Sequence, residues 1–190
     1  MYGSRIISLI VLSAAFFHPA TGQSPRSSQK PSIDTVLVYG DGFTFSMKEP
    51  EGWQCLCDES VGKYGVNAMV LPSSPESRAH HVEIKVRVNG KADENTALDL
   101  AADMEQYKKK YPNVQFAALD VAHPEYETYP KLFSFPNDFY DYVAYLNPGP
   151  RASFTLSVSM SKEKEPATKE ELAAYQKVLQ SLHVFTEASR

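Results

Sequence analysis

The sequence predicts an α+β fold in which an antiparallel β-sheet is flanked by helices. Segments that alternate between apolar and polar residues fill the first half of the chain and return after an amphipathic helix. A tight Asn-Pro-Gly-Pro connection at residues 147–150 joins two of the later strands, which should therefore pair antiparallel. Runs of strands interrupted by single helices are typical of α+β domains and not of doubly wound parallel folds.

The first half of the chain is predicted to be mostly strand. The expected strands lie at residues 35–39, 43–47, 66–71 and 80–88. The second and fourth alternate between apolar and polar side chains, which is typical of half-buried strands. The third is apolar apart from Asn67, which indicates a strand covered on both faces.

A helix is predicted at residues 97–111, because apolar residues recur there at helical spacing. Asp93 is the expected N-cap, and Pro112 ends the helix. The lysines at 108–110 suit the carbonyl end of the helix dipole.

The second half returns to strands and ends with a helix. Further strands are predicted at residues 114–121, 129–135, 140–146 and 152–160, with a short one at 183–185. In the strand at 152–160, small polar residues alternate with apolar ones, which predicts one buried face and one wet or lightly covered face. This polar face carries Ser153, Thr155, Ser157 and Ser159. Thr168 and Glu171 form a capping box for the final helix.

The N-terminus has the features of a secretory signal peptide. Arg5 supplies a positive charge, residues 6–17 are apolar apart from two serines, and small residues precede the expected cleavage site before Gln23. The apolar run is shorter than the roughly 20 residues that a permanent membrane anchor needs. Residues 1–22 are therefore expected to be removed on export.

The rest of the chain divides into a linker and one domain. Residues 23–32 are rich in Pro and Ser and lack apolar periodicity, so they predict a disordered linker. Residues 33–187 have the usual size of a single α+β domain. The mature protein is expected to be soluble, with no stable membrane insertion, and to be secreted or periplasmic.

The charge of the chain bears on its partners. The full sequence carries 19 Lys and Arg against 23 Asp and Glu, a net charge of −4, and loss of Arg5 with the signal makes it −5 (18 against 23). A mildly acidic protein is not expected to bind nucleic acid, because phosphate binding needs a basic face. A protein or cell-envelope partner is compatible with this charge.

The segment FTFSMKEPEGW, from Phe43 to Trp53, resembles the opening of the PsbP-like family, which includes the lumenal extrinsic subunit of photosystem II. The order of the following elements is also similar to that family as far as Phe185. The resemblance implies an α/β/α sandwich around an antiparallel sheet, and a non-catalytic binding or assembly role. It implies no functional residues, because the matching positions shape a turn and pack. The Cys-Leu-Cys segment after Trp53 departs from the family pattern, and no photosynthetic role is inferred.

Cys55 and Cys57 are the only cysteines, and they lie two residues apart. In an extended segment their side chains lie on the same face. Three interpretations are open. The pair could form a strained and easily reduced disulfide, or a soft-metal site for copper(I) or zinc completed by His80 or His81. The third is a structural pair without chemistry.

Aromatic residues are concentrated between residues 126 and 145. In a strand, Tyr140 and Tyr142 share one face, while Val143 and Tyr145 share the other. An exposed tyrosine face can bind a partner, since each ring offers a large apolar surface and a polar tip. Tyr140 and Tyr142 are therefore candidate ligand-binding residues, with cross-strand packing as the alternative.

The sequence contains neither a nucleophile-elbow motif nor a phosphate-binding glycine motif. We therefore predict an exported, non-catalytic binding or assembly module without a cofactor, and we predict no enzymatic activity. The alternative is a thiol redox or soft-metal-handling protein that uses Cys55 and Cys57.

Overall fold

The computed structural model describes residues 34–75, 82–91, 95–135 and 138–186. The predicted signal peptide, the predicted linker, and the candidate metal ligand His80 with its neighbour His81 lie outside these residues.

The described strands form two antiparallel sheets. The smaller sheet has the order β1–β2–β10, with β1 at Thr35–Gly40, β2 at Phe43–Lys48 and β10 at His183–Val184. Gly42 lies in the turn between β1 and β2 and has a φ of 77°, a conformation that glycine adopts without steric cost. The final helix leads into β10, so the chain end closes this sheet.

The larger sheet has the order β3–β4–β5–β9–β8–β7–β6, and each strand is antiparallel to its neighbours. Its strands are β3 (Trp53–Leu56), β4 (Ala68–Pro72), β5 (Glu83–Gly90), β6 (Gln115–Ala117), β7 (Glu127–Phe135), β8 (Phe139–Asn147) and β9 (Phe154–Glu163). The central strand is β9, between β5 and β8. The predicted connection at residues 147–150 joins β8 to β9, which pair antiparallel as expected.

The described helices lie between strands in the chain order. The single turn α1 (Glu59–Gly62) precedes β4, α2 (Thr96–Lys110) joins β5 to β6, and α3 (Lys169–Ser181) joins β9 to β10. No helix in the described part of the chain is long and apolar enough to cross a membrane.

The ends of α2 and α3 follow local capping rules. The capping box of Thr168 and Glu171 is present at the start of α3, as the sequence predicted. The N-cap of α2 is Asn95, whose side chain accepts a hydrogen bond from the Ala97 N–H at 3.2 Å. The expectation of Asp93 as the cap was therefore wrong. Asn and Asp cap helices about equally well, so residue type did not decide between the two positions.

The main core lies between one face of the larger sheet and a layer made of α3 and the smaller sheet. This core face of the larger sheet carries the fully buried side chains Ile84, Val86, Ala144, Leu146, Val158 and Met160. From the other side they meet Tyr175, Val178 and Leu179 of α3 and Phe45 and Met47 of β2. The Tyr175 hydroxyl donates to the backbone oxygen of Val158 at 3.4 Å, which gives this buried group a partner.

The opposite face of the larger sheet is partly covered by α2, and we call it the α2 face. It carries alternate residues of each strand, among them Phe133, Asp141 and Ser159. The helix packs on β8 and β7, toward one side of the sheet. The polar residues of β5 and β9 therefore lie beside the helix and not beneath it.

The predicted α+β class is confirmed, but the arrangement differs from the expected single sheet. The first two strands form a separate sheet with β10, in which β2 pairs with β1 on one side and with β10 on the other. The strand expected at residues 114–121 is reduced to β6, and the sequence reading did not predict the single turn α1.

Candidate functional site

A cleft runs along α2 on the α2 face of the larger sheet. Its larger part has a volume of about 1010 Å³ and its smaller part about 220 Å³. Asp103, Tyr107, Asp141 and Ser161 line both parts, so the two adjoin each other. We call them the outer and inner compartments of the helix cleft.

The floor of the inner compartment is built from three cross-strand rows of β5, β9 and β8. The rows are Arg87–Ser157–Tyr145, Lys85–Ser159–Val143 and Glu83–Ser161–Asp141. Side chains that lie directly opposite one another in antiparallel strands share a face, so each row crosses the floor. The serines of β9 are the smallest side chains in these rows, and they leave space above the sheet.

Two tyrosine–aspartate pairs join α2 to β8 in opposite directions. The Tyr107 hydroxyl of the helix donates to Asp141 Oδ2 of the strand at 2.7 Å. The Tyr145 hydroxyl of the strand donates to Asp103 Oδ2 of the helix at 3.1 Å. Each element contributes one aspartate and one tyrosine that are four residues apart, Asp103 with Tyr107 on α2 and Asp141 with Tyr145 on β8. This spacing keeps the two side chains on one face, both in a helix and in a strand. The reciprocal bonds fix the position of α2 over the sheet.

The electrostatics of these pairs follow from burial. Burial raises the pKa of Asp103, although the hydrogen bond from Tyr145 and the charge of Arg87 act to lower it. Burial is also the largest cause that raises the pKa of Tyr107 and Tyr145, and the neighbouring carboxylates add to it. Both phenols therefore stay protonated donors at physiological pH.

The outer compartment has an aromatic wall. Tyr107, Tyr111 and Phe139 line it, with ring centroids 4.9 Å apart for Tyr111 and Phe139 and 6.1 Å apart for Tyr107 and Phe139. Behind them, the buried ring of Phe133 lies 4.6 Å from Tyr107. Of the aromatic residues between 126 and 145, Phe133 thus packs beneath α2 and Phe139 faces this cleft, whereas others lie on the core face.

The remaining wall of the outer compartment is charged. Lys109 and Lys110 of α2 lie on one side, and Asp138, Glu163 and Lys164 on the other. The backbone N–H of Lys164 donates to the backbone oxygen of Asp138 at 2.8 Å, and this bond connects the start of β8 to the end of β9.

The sequence-predicted tyrosines lie on the core face, away from the helix cleft. Tyr142 is only 5% exposed, and its hydroxyl accepts a hydrogen bond from the Ala167 N–H at 3.0 Å. Tyr140 is half-buried and packs against the core. A ligand-binding role for Tyr140 and Tyr142 stays a prediction, but the buried ring of Tyr142 offers a partner little surface.

Cys55 and Cys57 are both half-buried thiols at the β3 edge of the larger sheet. A hydrogen bond between their side chains is the largest cause that raises the pKa of the Cys55 thiol, followed by burial. The Cys55 N–H donates to Glu49 Oε2 at 2.7 Å, so a carboxylate covers this part of the sheet edge. A raised pKa disfavours the thiolate that redox exchange and metal binding require.

The chemistry available in the cleft is that of binding polar groups. The lining contains hydroxyls, carboxylates, cations and aromatic rings, but no described histidine or cysteine. No group of three or more metal-ligating His, Cys, Asp or Glu side chains occurs among the residues that the structure describes.

Sequence reasoning found the serine face of β9 but not the residues of α2 that meet it. A signal was present, because Asp103 with Tyr107 and Asp141 with Tyr145 repeat the same Asp-x-x-x-Tyr spacing. This repeated spacing predicts hydrogen bonds between the two elements only when the helix and the strand are known to face each other.

Comparison with known proteins assigns no family to this arrangement. No protein-family model matches the sequence, and no curated protein matches it significantly.

Proposed function

We propose that this protein is an exported, non-catalytic binding module that holds a ligand in the helix cleft. The observation that carries the proposal is the pair of reciprocal Tyr–Asp hydrogen bonds, which hold polar groups in place where the two compartments of the helix cleft adjoin. A PsbP-like α/β/α sandwich and an assembly role in the cell envelope belong to the same proposal, on the basis of the Phe43–Trp53 segment and the order of elements.

The size and composition of the cleft support binding of a small or chain-like ligand. Ligand sites commonly have volumes of about 300–1,000 Å³ and combine apolar or aromatic walls with a few well-placed polar groups. The outer compartment reaches the upper end of that range, with Tyr107, Tyr111 and Phe139 as its aromatic wall. Because Asp103 and Asp141 are already held by tyrosines, ligand binding does not need to order them.

The residue types in the cleft support a non-catalytic role. A serine nucleophile needs an adjacent base. The described histidines His123 and His183 do not line the cleft, and Lys85, which lies opposite Ser159, is paired with Glu83. The signal-peptide features of residues 1–22 support export, and they place the ligand outside the cytoplasm as part of the proposal.

The proposal is tested by filling the cleft. Ser161 lines both compartments, so Ser161→Phe should block them, whereas Ala102→Phe adds the same ring to the exposed side of α2. Saturation-transfer NMR would compare both variants with the wild type against amino acids, short peptides, saccharides, nucleotides and fatty acids. We expect at least one class to bind the wild type and Ala102→Phe but not Ser161→Phe.

Ser159→Val is a second blocking variant, which tests the same cleft if Ser161→Phe does not fold. Valine suits a central strand and fills the floor of the inner compartment. Circular dichroism of each variant checks the fold. Equal binding by all four proteins, or binding of no class to the wild type, would contradict the proposal.

The contact between Cys55 and Cys57 favours a second candidate function, thiol redox or soft-metal handling. Two side chains close enough to hydrogen-bond can form a disulfide or share one ion after modest adjustment. Intact mass of the exported protein, with thiols alkylated before and after reduction, tests this candidate. A disulfide or a bound metal supports it, and two thiols without an adduct oppose it.

A further inference from the structure

We infer that the helix cleft takes a neutral, hydroxyl-rich oligosaccharide of two or more rings. The inference rests on the proposed function of the cleft as a binding site, and it names the class of ligand.

The floor of the cleft presents three serine hydroxyls, of which one takes part in a hydrogen bond within the described fold. Ser157 Oγ accepts a hydrogen bond from Asn89 Nδ2 at 3.2 Å. The hydroxyls of Ser159 and Ser161 form no hydrogen bond with any residue that the structure describes. Successive serines on one face of a strand are about 6.6 Å apart, so the three hydroxyls form a row along the cleft. A row of groups that both donate and accept matches a ligand whose own hydroxyls do the same.

The carboxylates above the floor are arranged to accept further hydrogen bonds. Each of Asp103 and Asp141 uses its Oδ2 to accept from a tyrosine, and each keeps Oδ1 for another donor. Hydrogen bonds to an ionised acceptor are about twice as strong as those between neutral groups. Two oriented carboxylate oxygens on one side of a cleft are therefore suited to the hydroxyls of a sugar.

The aromatic wall supplies the apolar half of the recognition. Pyranose rings present faces of C–H groups, and these carry a small positive charge that the negative face of an aromatic ring attracts. Tyr111 and Phe139, 4.9 Å apart, lie in the outer compartment beyond the hydroxyl row. A saccharide could place one ring against these aromatics and another over the serines, which is why we infer more than one ring.

The charges of the lining favour a neutral ligand over an acidic one. Lys85 pairs with Glu83, and Lys162 pairs with Glu171 at 2.7 Å, so both cations are neutralised within the fold. The other charged lining residues balance, with four cations and four carboxylates. They are Arg87, Lys109, Lys110, Lys164, Asp103, Asp138, Asp141 and Glu163.

The test uses tetrasaccharides of glucose and of N-acetylglucosamine as neutral probes, with tetragalacturonate and tetra-alanine as comparison ligands. Isothermal titration calorimetry gives affinities, and ¹H–¹⁵N spectra map the residues that shift. We expect at least one neutral tetrasaccharide to bind more tightly than both comparison ligands, with shifts concentrated at α2 and β9.

Substitutions then separate specific recognition from a general effect. Tyr111→Ala removes a stacked ring and should weaken binding about tenfold, which corresponds to about 1.4 kcal/mol. Tyr39→Ala, which removes a half-buried tyrosine of β1 outside the cleft, should leave the affinity unchanged. Ser161→Ala removes an unused hydroxyl, is not expected to disturb the fold, and should weaken binding about threefold.

The outcomes distinguish this inference from the proposed function. Failure of both neutral tetrasaccharides to bind, tighter binding of tetragalacturonate, or shifts outside the cleft would overturn the saccharide inference. If Ser161→Phe still abolishes binding of some other class of compound, the cleft remains a binding site and only its ligand was misassigned.

Discussion

Glu171 neutralises a buried lysine, so its replacement by Gln tests how far one ion pair stabilises this fold. Lys162 Nζ lies 2.7 Å from Glu171 Oε1, and the two side chains are only 3% and 12% exposed. Glu165 Oε1 lies 3.7 Å from the same ammonium group, but its side chain is 66% exposed. Water therefore screens the second pair, and Glu171 carries most of the interaction.

The expected magnitude follows from these contacts. Removing one partner of a buried ion pair costs about 3–5 kcal/mol, because the other charge is left unpaired. Glu165 retains part of the interaction, and a Gln amide oxygen can still accept the Thr168 N–H of the capping box. We therefore expect Glu171→Gln to lower the free energy of unfolding by about 2–3 kcal/mol. Glu171→Ala also loses the capping box and should cost about 1 kcal/mol more.

Urea unfolding followed by circular dichroism measures these free energies, and a double-mutant cycle isolates the pair. Lys162→Met leaves the Glu171 carboxylate, which is only 12% exposed, without its cation, and should itself cost about 2–3 kcal/mol. In that background, Glu171→Gln should cost less than about 1 kcal/mol, because no buried cation is left unpaired. A cost below about 0.5 kcal/mol in both backgrounds would refute the reasoning, since the ion pair would then be energetically silent.

Three further predictions concern other buried polar groups. Thr155 is fully buried and its hydroxyl has no hydrogen-bond partner among the described residues, so Thr155→Val should raise the free energy of unfolding by about 1 kcal/mol, and a decrease would contradict this. Burial lowers the pKa of His123, so the unfolded chain takes up the proton first as the pH falls below about 6.5. The free energy of unfolding should therefore decrease as the pH is lowered through that range. His123→Gln should flatten this pH dependence, measured by urea unfolding at several pH values, and an unchanged slope would contradict the prediction. Tyr107→Phe removes the 2.7 Å hydrogen bond to Asp141 and should cost about 1–2 kcal/mol in the same assay, whereas wild-type stability would mean that this bond does not hold α2.

The features that were predictable from the sequence depend on neighbouring residues. The capping box of Thr168 and Glu171 involves two residues three apart, and both of its hydrogen bonds form. The β8–β9 pairing depends on the short connection at residues 147–150, which leaves no room for a crossover. Such features can be predicted from the sequence because the residues that form them are close together in the chain.

The features that escaped prediction depend on residues far apart in the chain. Both faces of β8 carry aromatic or apolar side chains, so alternation did not reveal which face meets the core. Tyr142 faces the core, while Tyr145 faces α2 and bonds to Asp103, 42 residues away. The separate smaller sheet likewise depends on the pairing of β2 with β10 at the end of the chain.

The serines of β9 connect the architecture of the sheet to the proposed function. A central strand is stabilised by β-branched and aromatic residues, which pack well against their cross-strand neighbours. On its core face β9 follows this rule with Leu156, Val158 and Met160, all fully buried. On its α2 face the same strand carries serines, although the packing surface of β8 continues beside it. Larger side chains there would fill the inner compartment, and the helix cleft would lose its floor. The fold thus gives up packing at its centre and leaves space there, which is the trade-off between stability and activity expected for the binding site that we propose.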